Sequence, residues 1–191
     1  MLDIIKLGVF LLVLAGVGSF GVSYVNSMAE PLIAEQALKA KISSFKEVYP
    51  LGEEVKDESA QYMKSDTNPL IKEINVAYIS GAPAGVIYLV EPKGYGGPLR
   101  IMAGFDIAQK KLTAIKVLSQ TETPGLGAKA KDSFFQDRYQ DKSSAVALEV
   151  TKTPPVKDNQ IQAITASTIT SKAVTSGVNA ARENFMSNFV K

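Results

Sequence analysis

Residues 71–119 read IKEINVAYISGAPAGVIYLVEPKGYGGPLRIMAGFDIAQKKLTAIKVLS, and this stretch decides the fold. Four runs rich in Ile, Val, Leu, Tyr and Phe stand at 71–79, 85–90, 99–105 and 112–119. They are separated by Gly81-Ala82-Pro83, by residues 94–98 and by residues 108–111. β-Branched and aromatic runs bounded by Gly and Pro read as strands. The connections are shorter than the dozen or so residues a parallel crossover needs, so the strands are predicted to pair antiparallel.

Downstream, 129–139 reads as a short amphipathic helix, 145–150 as another strand and 171–190 as a closing helix. In the last, Val174, Gly177, Val178, Ala181, Phe185 and Phe189 recur at three- and four-residue steps, a stripe that should pack on the sheet. Upstream, 51–69 is polar and reads as loop. Residues 31–49 have helical spacing, with Ile33, Ala37, Ala40, Ile42 and Phe45 on related faces, Pro31 in a first turn and a stop before Pro50. No internal repeat is visible. The fold class is α+β: one N-terminal transmembrane helix, then a largely antiparallel sheet with packed helices.

The anchor is LGVFLLVLAGVGSFGVSYV, residues 7–25, a run of 19 residues without a charge. A spanning helix needs roughly 20 apolar residues, whereas the apolar part of a cleaved signal peptide is usually about 7–15. Ser27-Met28-Ala29 offers a cleavage site, but the length favours a retained anchor. Gly8, Gly16, Gly18 and Gly21 admit close approach of a second helix, although glycine is common in membrane helices anyway. Lys6 and the terminal amine on the short side place the N-terminus in the cytoplasm and the rest of the chain outside it.

Composition narrows the chemistry. The 191 residues carry a net charge of only +2 and no basic run, so a nucleic-acid footprint is absent. There is no His, Cys or Trp. That excludes disulfides, Cys-ligated clusters, the usual zinc sites and His-dependent nucleophiles, and no Asp-x-Asp-x-Asp-Gly loop offers a calcium site. Redox chemistry in this chain requires an organic cofactor.

Two segments stand out. Glu122-Thr123-Pro124-Gly125-Leu126-Gly127 follows a strand, and its glycines could let backbone lie flat against a planar ligand; a simple chain reversal explains the same residues. Residues 164–171, ITASTITS, hold five hydroxyl residues in eight just before the closing helix. A phosphate there would meet free amides and the positive end of the helix dipole, with Lys172 adding charge. The same residues also read as a helix cap formed by Thr170 or Ser171.

The two segments in this order, with Gly94-Tyr95-Gly96-Gly97-Pro98 upstream and the apolar N-terminal run, resemble the FMN-binding domain family. That domain is shared by the G subunit of Rnf complexes and the C subunit of sodium-pumping NADH:quinone reductases, and the length is nearer the former. The resemblance implies that a flavin transferase joins FMN by a phosphoester to the last Thr of a pattern close to Asp-x-x-Ser/Thr-Gly-Ala-Thr. Here that Thr is Thr168. Gln162, Ala166 and Ser167 depart from the pattern, and a Gly position requiring φ > 0 would strain Ala166 by about 1 kcal/mol. It further implies that Glu122, Thr123, Pro124, Gly125, Leu126 and Gly127 line the flavin ring, with Leu126 against its face and Tyr95 flanking. Ser167, Ile169, Thr170 and Lys172 complete the expected surroundings.

The implied organisation is an anchor (1–28), a helical stalk with polar loop (29–69) and a covalent-FMN domain (70–191). The implied work is electron transfer in a membrane complex that passes electrons between ferredoxin and NAD and moves ions, with the other complex subunits as partners. A stand-alone extracytoplasmic flavoprotein and a flavin-free structural subunit are the alternatives.

Overall fold

Helix α1 spans Leu2–Val48 in the computed structural model, which describes residues 2–64, 66–155 and 157–190. Its segment Ile5–Glu30 has mean hydropathy 2.1 and no buried side chains, and is long and apolar enough to cross a membrane. The separate helix expected from Pro31 is corrected: 26–30, Asn-Ser-Met-Ala-Glu, contains nothing that stops a helix, so Pro31 removes one donor from a helix already running. The side chains of Ile33, Ala37 and Ala40 lie outside the described residues; Ile42 is exposed and Phe45 is packed.

By its contacts the chain divides into two compact units, residues 1–42 and 43–191. The second is built on a six-stranded antiparallel meander of β1 (Glu54–Asp57), β2 (Ile71–Ile79), β3 (Ala82–Val90), β4 (Arg100–Asp106), β5 (Lys111–Ser119) and β6 (Lys142–Ser143), paired in chain order. Four of these are the strands expected from sequence. β1 and the one-turn helix α2 (Ser59–Tyr62) correct the reading of 51–69 as loop. β1 escaped because Glu-Val-Lys-Asp presents a single apolar residue, and it is a strand through backbone pairing with β2. The β2–β3 turn is Ser80-Gly81 rather than Gly81-Ala82-Pro83: both residues have positive φ (49° and 78°), as a two-residue hairpin requires.

Both faces of the sheet are covered, which is why β3 and β4 read as continuous apolar runs rather than alternating ones. Val86, Tyr88 and Val90 with Ile101, Ala103 and Phe105 meet Val174, Val178, Ala181 and Phe185 of helix α4 (Thr168–Asn188) in the main core. The intervening Ile87, Leu89 and Met102, with Ala77, meet Val48 and Tyr49 on the other face. There Tyr49 is a hook. Its ring lies where a Cβ on Gly85 would stand, 2.5–2.8 Å away, and its hydroxyl donates to Asp106 Oδ2 at 3.1 Å.

The helix expected at 129–139 is instead three short pieces: a 3-10 turn (Gly127–Lys131), helix α3 (Ser133–Gln136) and a second 3-10 turn (Asp137–Tyr139). Asp132, in extended conformation with ψ of 141°, interrupts it. The strand expected at 145–150 is displaced to β7 (Glu149–Thr151), which pairs parallel with β8 (Gln160–Gln162).

Candidate functional site

The chain reverses after β5 through a turn built by sequence. Leu126 N–H bonds to Thr123 C=O at 3.1 Å, with Pro124 and Gly125 between them, and Gly125 has φ +76°. Pro at the second position and Gly at the third give a type II turn. Opposite it, α4 begins at Thr168, three residues before the expected start. Its first i→i−4 bond runs from Ser171 N–H to Ser167 C=O at 3.1 Å, so the amides of Thr168, Ile169 and Thr170 have no acceptor within the helix.

The hydroxyls of 164–171 divide into two groups. Ser171 Oγ accepts from Ile164 N–H (2.9 Å) and donates to Ser167 C=O (3.0 Å). Thr175 Oγ1 donates to Ser171 C=O (2.9 Å) and accepts from the buried Tyr139 hydroxyl (2.8 Å). Thr170 Oγ1 donates to Glu122 Oε2 at 2.5 Å. Neither Thr170 nor Ser171 caps the first-turn amides, which corrects the capping expectation; they sit inside the helix, and the cap residue Ser167 makes no side-chain cap bond. The half-buried Thr168 hydroxyl makes no hydrogen bond among the described residues.

A cavity of about 490 Å³ lies between the turn and this helix end, within the range usual for cofactor sites. Its walls bring together Tyr95, Glu122, Thr123, Leu126, Gly127, Ser167, Thr168, Ile169 and Thr170, all expected from sequence, and add Ala166. Pro124 and Gly125 shape the turn but do not line the cavity. Lys172 is corrected also: it faces a separate depression with Leu148, Val150 and Asn179, because one further step round the helix turns it away. Tyr95, Leu126 and Ile169 are 73%, 41% and 57% exposed, so the cavity rim carries apolar surface bare to solvent.

Ala166 has φ +61°, in the left-handed region that the sequence reading anticipated at this position. A Cβ on Gly127 would stand 2.5 Å from Glu122 Oε2 and 2.6 Å from Thr170 Oγ1, so this glycine makes room for protein rather than for a ligand. Sequence reasoning missed that contact. The available signal was Glu122 itself, the lone charge in 120–128.

Residues 94–183 match the FMN-binding domain. The chain is 32% identical over 185 residues, covering 92% of itself and 88% of the relative, to the G subunit of the Na+-translocating ferredoxin:NAD+ oxidoreductase complex of Acetobacterium woodii. The chain belongs to this G-subunit family. Over 100 residues it is 43% identical to the G subunit of the proton-translocating ferredoxin:NAD+ oxidoreductase complex of Clostridium ljungdahlii, covering 51% of itself and 52% of that relative. In fold it is similar to the C subunit of the Na+-translocating NADH-quinone reductase of Parabacteroides distasonis, with TM-score 0.52 over 62% of each chain and 24% identity. Among the described residues one helix is long and apolar enough to cross a membrane, and with membership of this family of ion-translocating-complex subunits it marks a membrane-associated single-pass protein.

Proposed function

We propose that this chain is an electron-transfer subunit of a membrane ferredoxin:NAD+ oxidoreductase complex and carries FMN joined by a phosphoester to Thr168. The carrying observation is the Thr168 hydroxyl: it lies on the cavity wall, lacks a protein hydrogen bond among the described residues, and stands where three helix amides want an acceptor. An anionic phosphoryl group answers that want, through the N–H groups and the helix dipole together. The rim supports the rest of the group: Tyr95, Leu126 and Ile169 offer apolar area to a planar ring, and Thr123 offers a hydroxyl. When bound, the flavin supplies the electron-carrying chemistry, and the chain supplies its place and surroundings.

Attachment forms a bond from Thr168 Oγ1 to phosphorus and releases the hydroxyl proton. A free phosphate monoester is a poor phosphoryl donor, so the donor is a flavin dinucleotide, brought by a separate transferase: its pyrophosphate bond breaks, the FMN phosphoryl passes to Thr168 Oγ1, and the nucleoside monophosphate leaves with the proton equivalent that the hydroxyl gives up. Substrate oxidation and ion movement belong to the partner subunits, and the domain faces away from the cytoplasm, a reading supported by Lys6 just before the uncharged run. Flavin fluorescence that follows the chain through a denaturing gel tests the reading. A fluorescent band in the wild type and none in Thr168→Val supports it; a dark wild-type band from the intact complex leaves the structural-subunit reading in its place.

A further inference from the structure

Glu122 is only 6% exposed, carries a carboxylate and has no Lys or Arg against it among the described contacts. Each oxygen is nevertheless engaged. Oε1 accepts from the Gly96 amide at 2.9 Å and Oε2 accepts from the Thr170 hydroxyl at 2.5 Å. The residue's own amide is held by Gln120 Oε1 at 2.5 Å. The backbone is cleared for it on two sides: a Cβ on Gly94 would stand 2.4 Å from Oε1, and one on Gly127 2.5 Å from Oε2. Three distant stretches of chain therefore converge on one side chain: the glycine-rich 94–97 loop that carries Tyr95, the turn after β5, and the first turn of α4 that carries Thr168.

Resting on the reading that Thr168 receives the flavin, the structure assigns Glu122 a positioning role. It is a clip that sets the first turn of α4 against the cavity's other two walls, rather than a ring contact or a proton acceptor. Thr170 lies two residues from Thr168 within one helical turn, so fixing its hydroxyl fixes where the attachment hydroxyl stands. A clip needs two hydrogen bonds but not a charge. Glutamine preserves both, accepting from Gly96 N–H through its carbonyl and donating from its amide to Thr170 Oγ1, which can accept.

The test uses the full-length chain in detergent, with the transferase and a flavin dinucleotide supplied, and reads the initial rate of covalent flavin incorporation. Misplacement of the attachment hydroxyl should make Glu122→Ala at least about tenfold slower, while Glu122→Gln recovers most of that loss. Thr170→Val should slow attachment as well, and Glu122→Ala/Thr170→Val should be no slower than Glu122→Ala, since both changes open the same clip. Glu122→Gln as slow as Glu122→Ala would overturn the proposal in favour of a role for the charge, and a wild-type rate in Glu122→Ala would remove the role altogether. Hydrogen exchange of the same proteins without flavin reads the clip directly. Faster exchange at Gly96 and at the start of α4 in Glu122→Ala but not Glu122→Gln supports it, and unchanged exchange overturns it. A wild-type chain that takes no flavin at Thr168 refutes the attachment reading, and the exchange result then decides the clip alone.

Discussion

Ala166→Gly should make the protein more stable. Ala166 has φ +61°, where an L-residue costs roughly 1–2 kcal/mol because its Cβ crowds the following carbonyl. Glycine removes that strain but gives the unfolded chain more freedom, which costs about 0.4–1 kcal/mol. The Ala166 methyl is exposed and its loss sacrifices little burial, so at the middle of those ranges about 0.8 kcal/mol of net stabilisation remains. For a unit spanning residues 43–191 this is a rise in thermal midpoint of roughly 1–4 °C. Circular dichroism of the full chain in detergent, wild type beside variant, measures it. A fall in midpoint would contradict this strain, showing that the backbone at 166 is not left-handed or that its methyl packs.

Tyr49→Phe removes the donor to the buried Asp106 carboxylate and should cost about 1–3 kcal/mol by urea denaturation. Burial first, then the Asp106 charge and the hydrogen bond, push the Tyr49 phenol up to about 12 from 10.0, so the fold disfavours its ionised form. Its stabilising contribution is present below pH 10.0 and lost as pH rises toward about 12, so Tyr49→Phe should lose less stability than wild type across that window; parallel pH profiles would contradict this. Gly85→Ala puts a Cβ 2.5–2.8 Å from the Tyr49 ring and should destabilise by about 1–3 kcal/mol, less in a Tyr49→Ala background; an additive double mutant would show that the ring is not the obstacle. Thr168→Val should leave stability within about 0.5 kcal/mol of wild type, because valine keeps the β-branched shape and the lost hydroxyl bonds to nothing described; a larger drop in the urea midpoint would assign it a structural bond.

What the sequence made legible followed its periodicities. Strands β2–β5 and the stripe of α4 were readable because packing on both sheet faces demands apolar residues there, and the Thr123–Leu126 turn because Pro-Gly has few other uses. β1, β6 and β8 were not, and β7 only in part, since short strands held by backbone bonds need no side-chain pattern. Of the candidate site, the sequence made legible which residues gather about one cavity, as with Tyr95, Leu126 and Thr168 on its wall. It failed where tertiary contacts allot the jobs: Ser171 and Thr170 looked like caps but bond to Ser167 C=O and Glu122, Lys172 points elsewhere, and Gly127 serves Glu122. No local pattern announces a partner 48 residues away.

The bond at Thr168 is read plainly by mass spectrometry of the peptide 158–172 from the membrane-extracted complex. We expect a peptide carrying one flavin mononucleotide, with fragmentation placing it on Thr168 and the hydroxyls of Thr165, Ser167, Thr170 and Ser171 unmodified. An unmodified peptide, or a flavin on one of those neighbouring hydroxyls, would contradict it.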